Sequence, residues 1–218
     1  MPSKNALKIY RDNTYYHLYN RGVDKQLIFD NDHAYKTFLY FLKKYLLPPD
    51  ETFPSKATNN FFGSITLHAH CLMPNHYHLL ISQKNSDDIN FFMRSINSQY
   101  VRYYNSHHNR IGPLFQSRYK AVSVNSDEQL LYLTKYIHVN PTALFTSGTV
   151  PEVKLSREQL LQYPYSSLNN YLGNINQAWL NTKAILSYFS KTNPHQQYAD
   201  FIFDDRFSES IKTLRIDE

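Results

Sequence analysis

HCLMPNHYHLLI, residues 70–81, decides how this chain folds. It sets a Pro74-Asn75 turn between two apolar runs, residues 62–72 and 76–82, and so predicts a β-hairpin. Upstream, from Asp30 or Asp32, the residues Tyr35, Phe38, Leu39, Phe41, Leu42 and Leu46 recur at helical spacing until Pro48-Pro49 stops the run. Downstream, Ile89, Phe92, Met93, Ile96 and Val101 mark one side of a helix from Ser86 to about His107. TYYHLYN (14–20) reads as a strand closed by an Asn20-Arg21-Gly22 turn. SRYKAVSV (117–124) reads as a short strand after the Gly112-Pro113 break. The order β-α-β-β-α-β is that of a split βαβ, ferredoxin-like fold: α+β, with a four-stranded antiparallel sheet. Ser126-x-x-Gln129 then caps a further helix reaching Val139, which Asn140-Pro141 ends. Short helical pieces follow near 156–162, 165–171, 180–189 and 194–203. The expected division is therefore residues 1–145, with the sheet and the capped helix, and residues 146–218, a helical extension packed on them.

Composition narrows the function classes without choosing one. The chain has 218 residues, 42% of them hydrophobic, enough for a real core. Aromatic residues make up 16%, with 19 Tyr and 14 Phe, and the net charge is +5. Basic, tyrosine-rich chains suit phosphate backbones and stacked bases, though many basic proteins bind neither. The single cysteine, Cys71, excludes an internal disulfide and a cysteine-cluster metal site. No apolar run approaches the roughly 20 residues needed to cross a membrane. The start, MPSKNALKIYRDN, lacks a signal-peptide core. A soluble, cytoplasmic protein without membrane association is expected.

Two imidazoles stand at the mouth of the second hairpin strand. Residues i and i+2 of a strand point to one face, so His76 and His78 present two imidazoles to one side, a ready half of a metal site or simply two polar residues on a solvated face, with Leu80 beside them and Tyr77, Leu79 and Ile81 opposite. His68 and His70 have the same spacing on the neighbouring strand, so spacing alone leaves both pairs open. A third ligand would choose between them. Tyr132, Tyr136 and Asn140 lie nearly in line along the capped helix. If that line faces the open side of the sheet, Asn140 can offer its carboxamide oxygen to an ion, with Tyr136 one turn away.

LMPNHYHLLI (72–81), GPLFQSRYKAV (112–122) and LTKYIHVNPTAL (133–144) resemble the signature segments of the bacterial single-strand tyrosine transposases, which carry a His-hydrophobic-His motif and one catalytic tyrosine. YYHLYNRGVDKQLIF (15–29) and YPYSSLNNYLG (163–173) are similar to the branch associated with repetitive extragenic palindromes. The resemblance implies that residues 1–145 form the catalytic domain. It implies His76, His78 and Asn140 as ligands of a divalent metal, magnesium or manganese, and Tyr136 as the nucleophile. Two departures stand out: the middle residue of the histidine motif is Tyr77 instead of an aliphatic, and some relatives have glutamine as third ligand. His68 and His70 match no family ligand and are read as sheet-face or DNA-facing residues.

The implied activity is a metal-dependent transposase. It would cleave and rejoin single-stranded or hairpin DNA through a 5′-phosphotyrosine, an endonuclease and recombination chemistry. Arg94, Arg102, Arg118 and Lys120 are candidate phosphate contacts, and Tyr103, Tyr104 and Tyr119 candidate stacking partners for bases. The expected partner is single-stranded or hairpin DNA, and the expected state a monomer in preference to a homodimer. The rival from another class is a non-catalytic hairpin-binding protein derived from such a transposase; the intact His76, His78, Tyr136 and Asn140 argue against it. A phosphoesterase of the two-histidine kind would need paired His-x-Ser/Thr motifs, and the residues two after His76 and His78 are His78 and Leu80.

Overall fold

In the computed structural model, residues 10–49, 60–141 and 157–204 are described. Strands β1 (Thr14–Arg21), β2 (Ile65–Met73), β3 (His76–Gln83) and β4 (Lys120–Val124) form one antiparallel sheet in the order β2-β3-β1-β4. Helices α1 (Asp32–Leu46) and α2 (Asp88–His107) make the two crossovers, as a split βαβ unit requires. The fold is the expected α+β one. The division near residue 145 falls outside the described residues.

The hairpin turn is tight, with Met73 paired directly to His76. Neither Pro74 nor Asn75 has the positive φ that usual two-residue hairpin turns use. The turn is held from outside instead. Ile28 and Phe29 donate their N–H groups to the Pro74 carbonyl at 2.8 and 2.9 Å, and Gly22 donates to that of Asn75 at 2.8 Å. Gly22 is needed for that approach, because a Cβ there would lie 2.3 Å from the Gln26 carbonyl oxygen.

Strand alternation sorts β3 as expected. Tyr77, Leu79 and Ile81 enter the core beneath α1 and α2, with Leu18, Phe38, Leu42, Phe92, Ile96 and Tyr100. Each fully buried side chain of this size contributes about 1.5–3 kcal/mol by leaving water. Tyr77 suits this side because its hydroxyl finds a partner, Asn97, at 3.1 Å. His76, His78 and Leu80 point the other way. That second face is covered by α3 (Asp127–Val139), whose Leu130, Leu133 and Ile137 meet Ala69, Cys71 and Leu80. Ser126 caps α3 by accepting from the Gln129 N–H at 3.1 Å, while the Gln129 side chain reaches back to the N–H of Asn125. Helices α4 (Arg157–Leu161), α5 (Leu168–Tyr171), α6 (Lys183–Leu186) and α7 (Pro194–Phe203) complete this layer.

Several element bounds differ from the sequence-based expectation, among them the start of β2 at Ile65 instead of 62 and the shorter α6, and two have a visible cause. β4 begins at Lys120 instead of Ser117, because Asn20 Nδ2 takes the Ser117 carbonyl at 3.2 Å and Tyr119 turns into the core beneath α1 and α2. The helix expected from residue 165 begins at Leu168, because residues 165–167 serve the edge strand first. Leu72 donates to Tyr165 O at 3.0 Å, Ser167 N–H donates to His70 O at 2.9 Å, and Cys71 and Ser166 form an isolated bridge. Among the described residues, no helix is long and apolar enough to cross a membrane.

Candidate functional site

The site is built on one row of the sheet. Lys120 pairs with Tyr19 across β4 and β1, Tyr19 with His78 across β1 and β3, and Arg21 with His76 one step further. Lys120 Nζ sits 5.6 Å over the Tyr19 ring. The two imidazoles of His76 and His78 are nearly perpendicular, with centroids 5.0 Å apart. A small depression collects Tyr19, Arg21, His76, His78, Ser117 and Lys120.

Helix α3 brings the remaining residues. Its Tyr136 ring stands edge-on to His78 at 5.4 Å. One turn later, at the C-cap where Pro141 ends the helix, Asn140 places Oδ1 3.2 Å from His76 Nε2. Tyr132, one turn earlier, faces Phe201 of α7 at 6.2 Å, away from the histidines. The helix stripe thus separates the two tyrosines: one serves packing and the other overlooks the imidazoles.

The donor set fits a divalent cation. His76 Nδ1 lies 2.6 Å from Asn75 Oδ1. With that proton donated, Nε2 presents a lone pair to the Asn140 carboxamide oxygen, and two lone pairs at 3.2 Å repel unless a proton or cation mediates. Neighbouring ligands each about 2.1 Å from one ion, at right angles, lie about 3.0 Å apart. His78 is fully buried, and burial first, then the charges of His76 and Arg21, push its pKa well below the usual histidine value. The neutral imidazole that results is the form that ligates metal. Among the described residues, no group of three or more His, Cys, Asp or Glu is arranged to hold an ion; the Asn140 carboxamide oxygen is a further donor beside His76.

His17 is the residue that sequence reasoning missed. Its Nε2 meets His78 Nδ1 at 2.9 Å, and its ring stacks on His78 at 5.1 Å. This contact turns His78 Nε2 away from β1, the orienting role that partners of metal-bound histidines play. Only the strand register discloses it: Tyr19 is opposite His78, which leaves His17 on the diagonal.

The rival pair is engaged elsewhere. His68 contacts the Asn181 carbonyl and Ser82 Oγ, and the His70 ring packs at 5.3 Å on Trp179. Both are 2% exposed, which overturns the DNA-facing reading; they belong to the packing beneath the C-terminal segment. Of the four cationic candidates, Lys120 lines the histidine depression. Arg118 lies beyond the start of β4, and Arg94 and Arg102 lie on the outer side of α2, across the sheet from the histidines. Tyr104 and Tyr119 are buried, their hydroxyls bonded to Leu27 O and Asn90, and so are removed as stacking platforms.

Residues 56–140 match the model of the IS200-like transposase family. Over that segment the chain is similar to the IS200-like transposases. The segment spans His76, His78, Tyr136 and Asn140 and ends on the last of them. No curated protein matches the sequence. Among solved structures, a REP-associated tyrosine transposase bound to a REP hairpin superposes with a TM-score of 0.52, covering 83% of this chain and 96% of that one at 13% identity. The likeness to that transposase is one of fold, and it includes the helical C-terminal part.

Proposed function

We propose that this chain is a metal-dependent DNA strand transferase, cutting and rejoining single-stranded or hairpin DNA through a 5′-phosphotyrosine at Tyr136. The observation that carries this reading is the convergence, from separate elements, of the Tyr136 ring on His78 and the Asn140 oxygen on His76. The IS200-like segment and the fold of the hairpin-bound transposase support it. His76, His78 and Asn140 would hold a divalent ion, which when bound draws charge from the scissile phosphate. Two imidazoles favour manganese; magnesium is also accommodated if phosphate oxygens complete its shell.

The chain's own residues supply the rest. The Tyr136 oxygen attacks phosphorus, the bond from phosphorus to the 3′-oxygen breaks, the phenolic proton is lost, and the departing 3′-oxygen gains one. The new ester keeps the energy of the old bond, so rejoining to another 3′-hydroxyl needs no nucleotide cofactor. Lys120 and Arg21 border the depression and offer charge to the phosphate. α3 lies over β2 and β3 of its own chain, so Tyr136 can reach the histidines without a second copy, and the working state we propose is a monomer.

Tyr136→Phe keeps the ring while deleting the attacking oxygen. On denaturing gels with 3′-labelled hairpin DNA from the flanks of the gene and manganese present, the wild-type chain should carry the label and the variant should not, while Tyr132→Phe still does. An adduct retained by the 136 variant moves the nucleophile elsewhere. A wild-type chain that binds the hairpin and never forms one makes this a binding protein.

A further inference from the structure

The depression around His76 and His78 does not end at the sheet. It shares Ser117 with a groove over the start of β4, lined by Arg94, Asn97, Arg118 and Tyr119. That groove shares Phe91, Arg94 and Ser98 with a third, which runs between α1 and α2 past Arg102 and His107. Their shared lining residues set the three end to end, from the histidines, past Ser117 near the start of β4, to the outer side of α2.

The chemistry of this path is one-sided. Among the described residues, no Asp or Glu lines any of the three grooves, while Arg21, Lys120, Arg118, Arg94 and Arg102 all do. Serines 95, 98, 106 and 117 add neutral donors along the way. Arg94 and Arg102 are eight residues apart on one helix, about 12 Å, room for no more than about three phosphates at duplex spacing and fewer in an extended strand. At the junction of the second and third grooves stands Phe91, a helix residue 54% exposed. Water-facing phenylalanine beside arginine suits a base stacked on the ring with its phosphate on the guanidinium.

We propose that this path is the track of one DNA strand, entering at the α2 side over Arg102, stacking a base on Phe91, and passing Arg94 and Arg118 to reach Lys120 and the histidines. That the occupant is DNA rests on the function proposed above; the route rests on the grooves. The sequence suggests the arginines singly, and the fold makes them consecutive.

The test is equilibrium binding of labelled oligothymidine strands of increasing length to the full chain in EDTA, followed by anisotropy over a range of salt. Affinity should rise with length and level off once the track is filled. Arg94→Gln and Arg102→Gln should each flatten the log–log salt slope by about 0.7 for long strands and leave short ones unaffected. Phe91→Ala should weaken long-strand binding roughly 5- to 150-fold. Lys183→Gln, the same charge change on α6, is the control and should do neither. If Lys183→Gln costs as much as the α2 variants, general charge explains binding and the track is refuted. If the α2 variants bind as wild type while Lys120→Gln weakens binding, the strand leaves by another route and the proposed cleavage stands. If the length and variant pattern holds but the wild type forms no covalent adduct, the track stands and the chemistry falls.

Discussion

Lowering the pH from 7 to 5 should destabilise this protein for reasons visible in its interior. His70 and His138 are pushed down to about 3, both chiefly by burial. His68 is pushed down to about 4 by burial, partly offset by its bond to the Asn181 carbonyl, and His78 is driven down too. In the unfolded chain these imidazoles titrate near 6.5. Their folded values are depressed, so below about 6.5 the unfolded state binds more protons, and stability present above that pH is lost as pH falls. Between pH 6.5 and 5 each histidine costs about 2 kcal/mol, or about 6 kcal/mol as a ceiling for the three with values. A domain of this kind holds about 5–15 kcal/mol in all. Urea midpoints measured in EDTA at several pH values give the proton uptake from the slope, expected to be about three to four protons near pH 5.5. His138→Gln should remove about one of them whatever it does to stability, although both ring nitrogens lose partners, Tyr198 and Ser167. An uptake of one proton or fewer, or a variant with wild-type uptake, would refute the reasoning.

The metal assignment is checked by calorimetry with manganese: His76→Ala and His78→Ala should abolish binding, Asn140→Ala should weaken it, and substitutions at His68 or His70 should leave it. His17→Ala should reduce manganese affinity about 10- to 100-fold through the lost orientation of His78, with metal-free melting changed much less; an unchanged affinity removes His17 from the site. Gly22→Ala should destabilise the chain by about 1–3 kcal/mol, read as a shift in urea midpoint, because its Cβ meets backbone that cannot swing aside.

What could be read from the sequence is what depends on neighbours along the chain. The hairpin, α1, α2 and α3 follow local periodicity and capping, and their type and order are recovered. His76 and His78 share a face by alternation, and Tyr136 and Asn140 share one by helical spacing, so half of the site is visible on each element. Joining the halves needs α3 to lie over β2 and β3, a packing fact. His17 stays hidden because its role depends on register, and Ser166 because its bridge to Cys71 joins residues far apart in the chain. Arg94 and Arg118 read alike as basic residues; only the fold sets them along one groove.

The residue before Tyr136 has a consequence of another kind. Lys135 is 3% exposed, and its ammonium donates to the carbonyls of Phe201 and Asp204, both at 2.7 Å, at the end of α7. A buried charge secured by the tail of a distant helix acts as a tether, and it fixes the rotation of α3 about its own axis. The aim of the phenol is therefore inherited from residues beyond the segment that matches the IS200-like model. A chain cut before α7 would keep both histidines and the tyrosine, and lose the anchor that points one at the other. A swap of the matched segment between relatives should therefore carry the donor's tail with it.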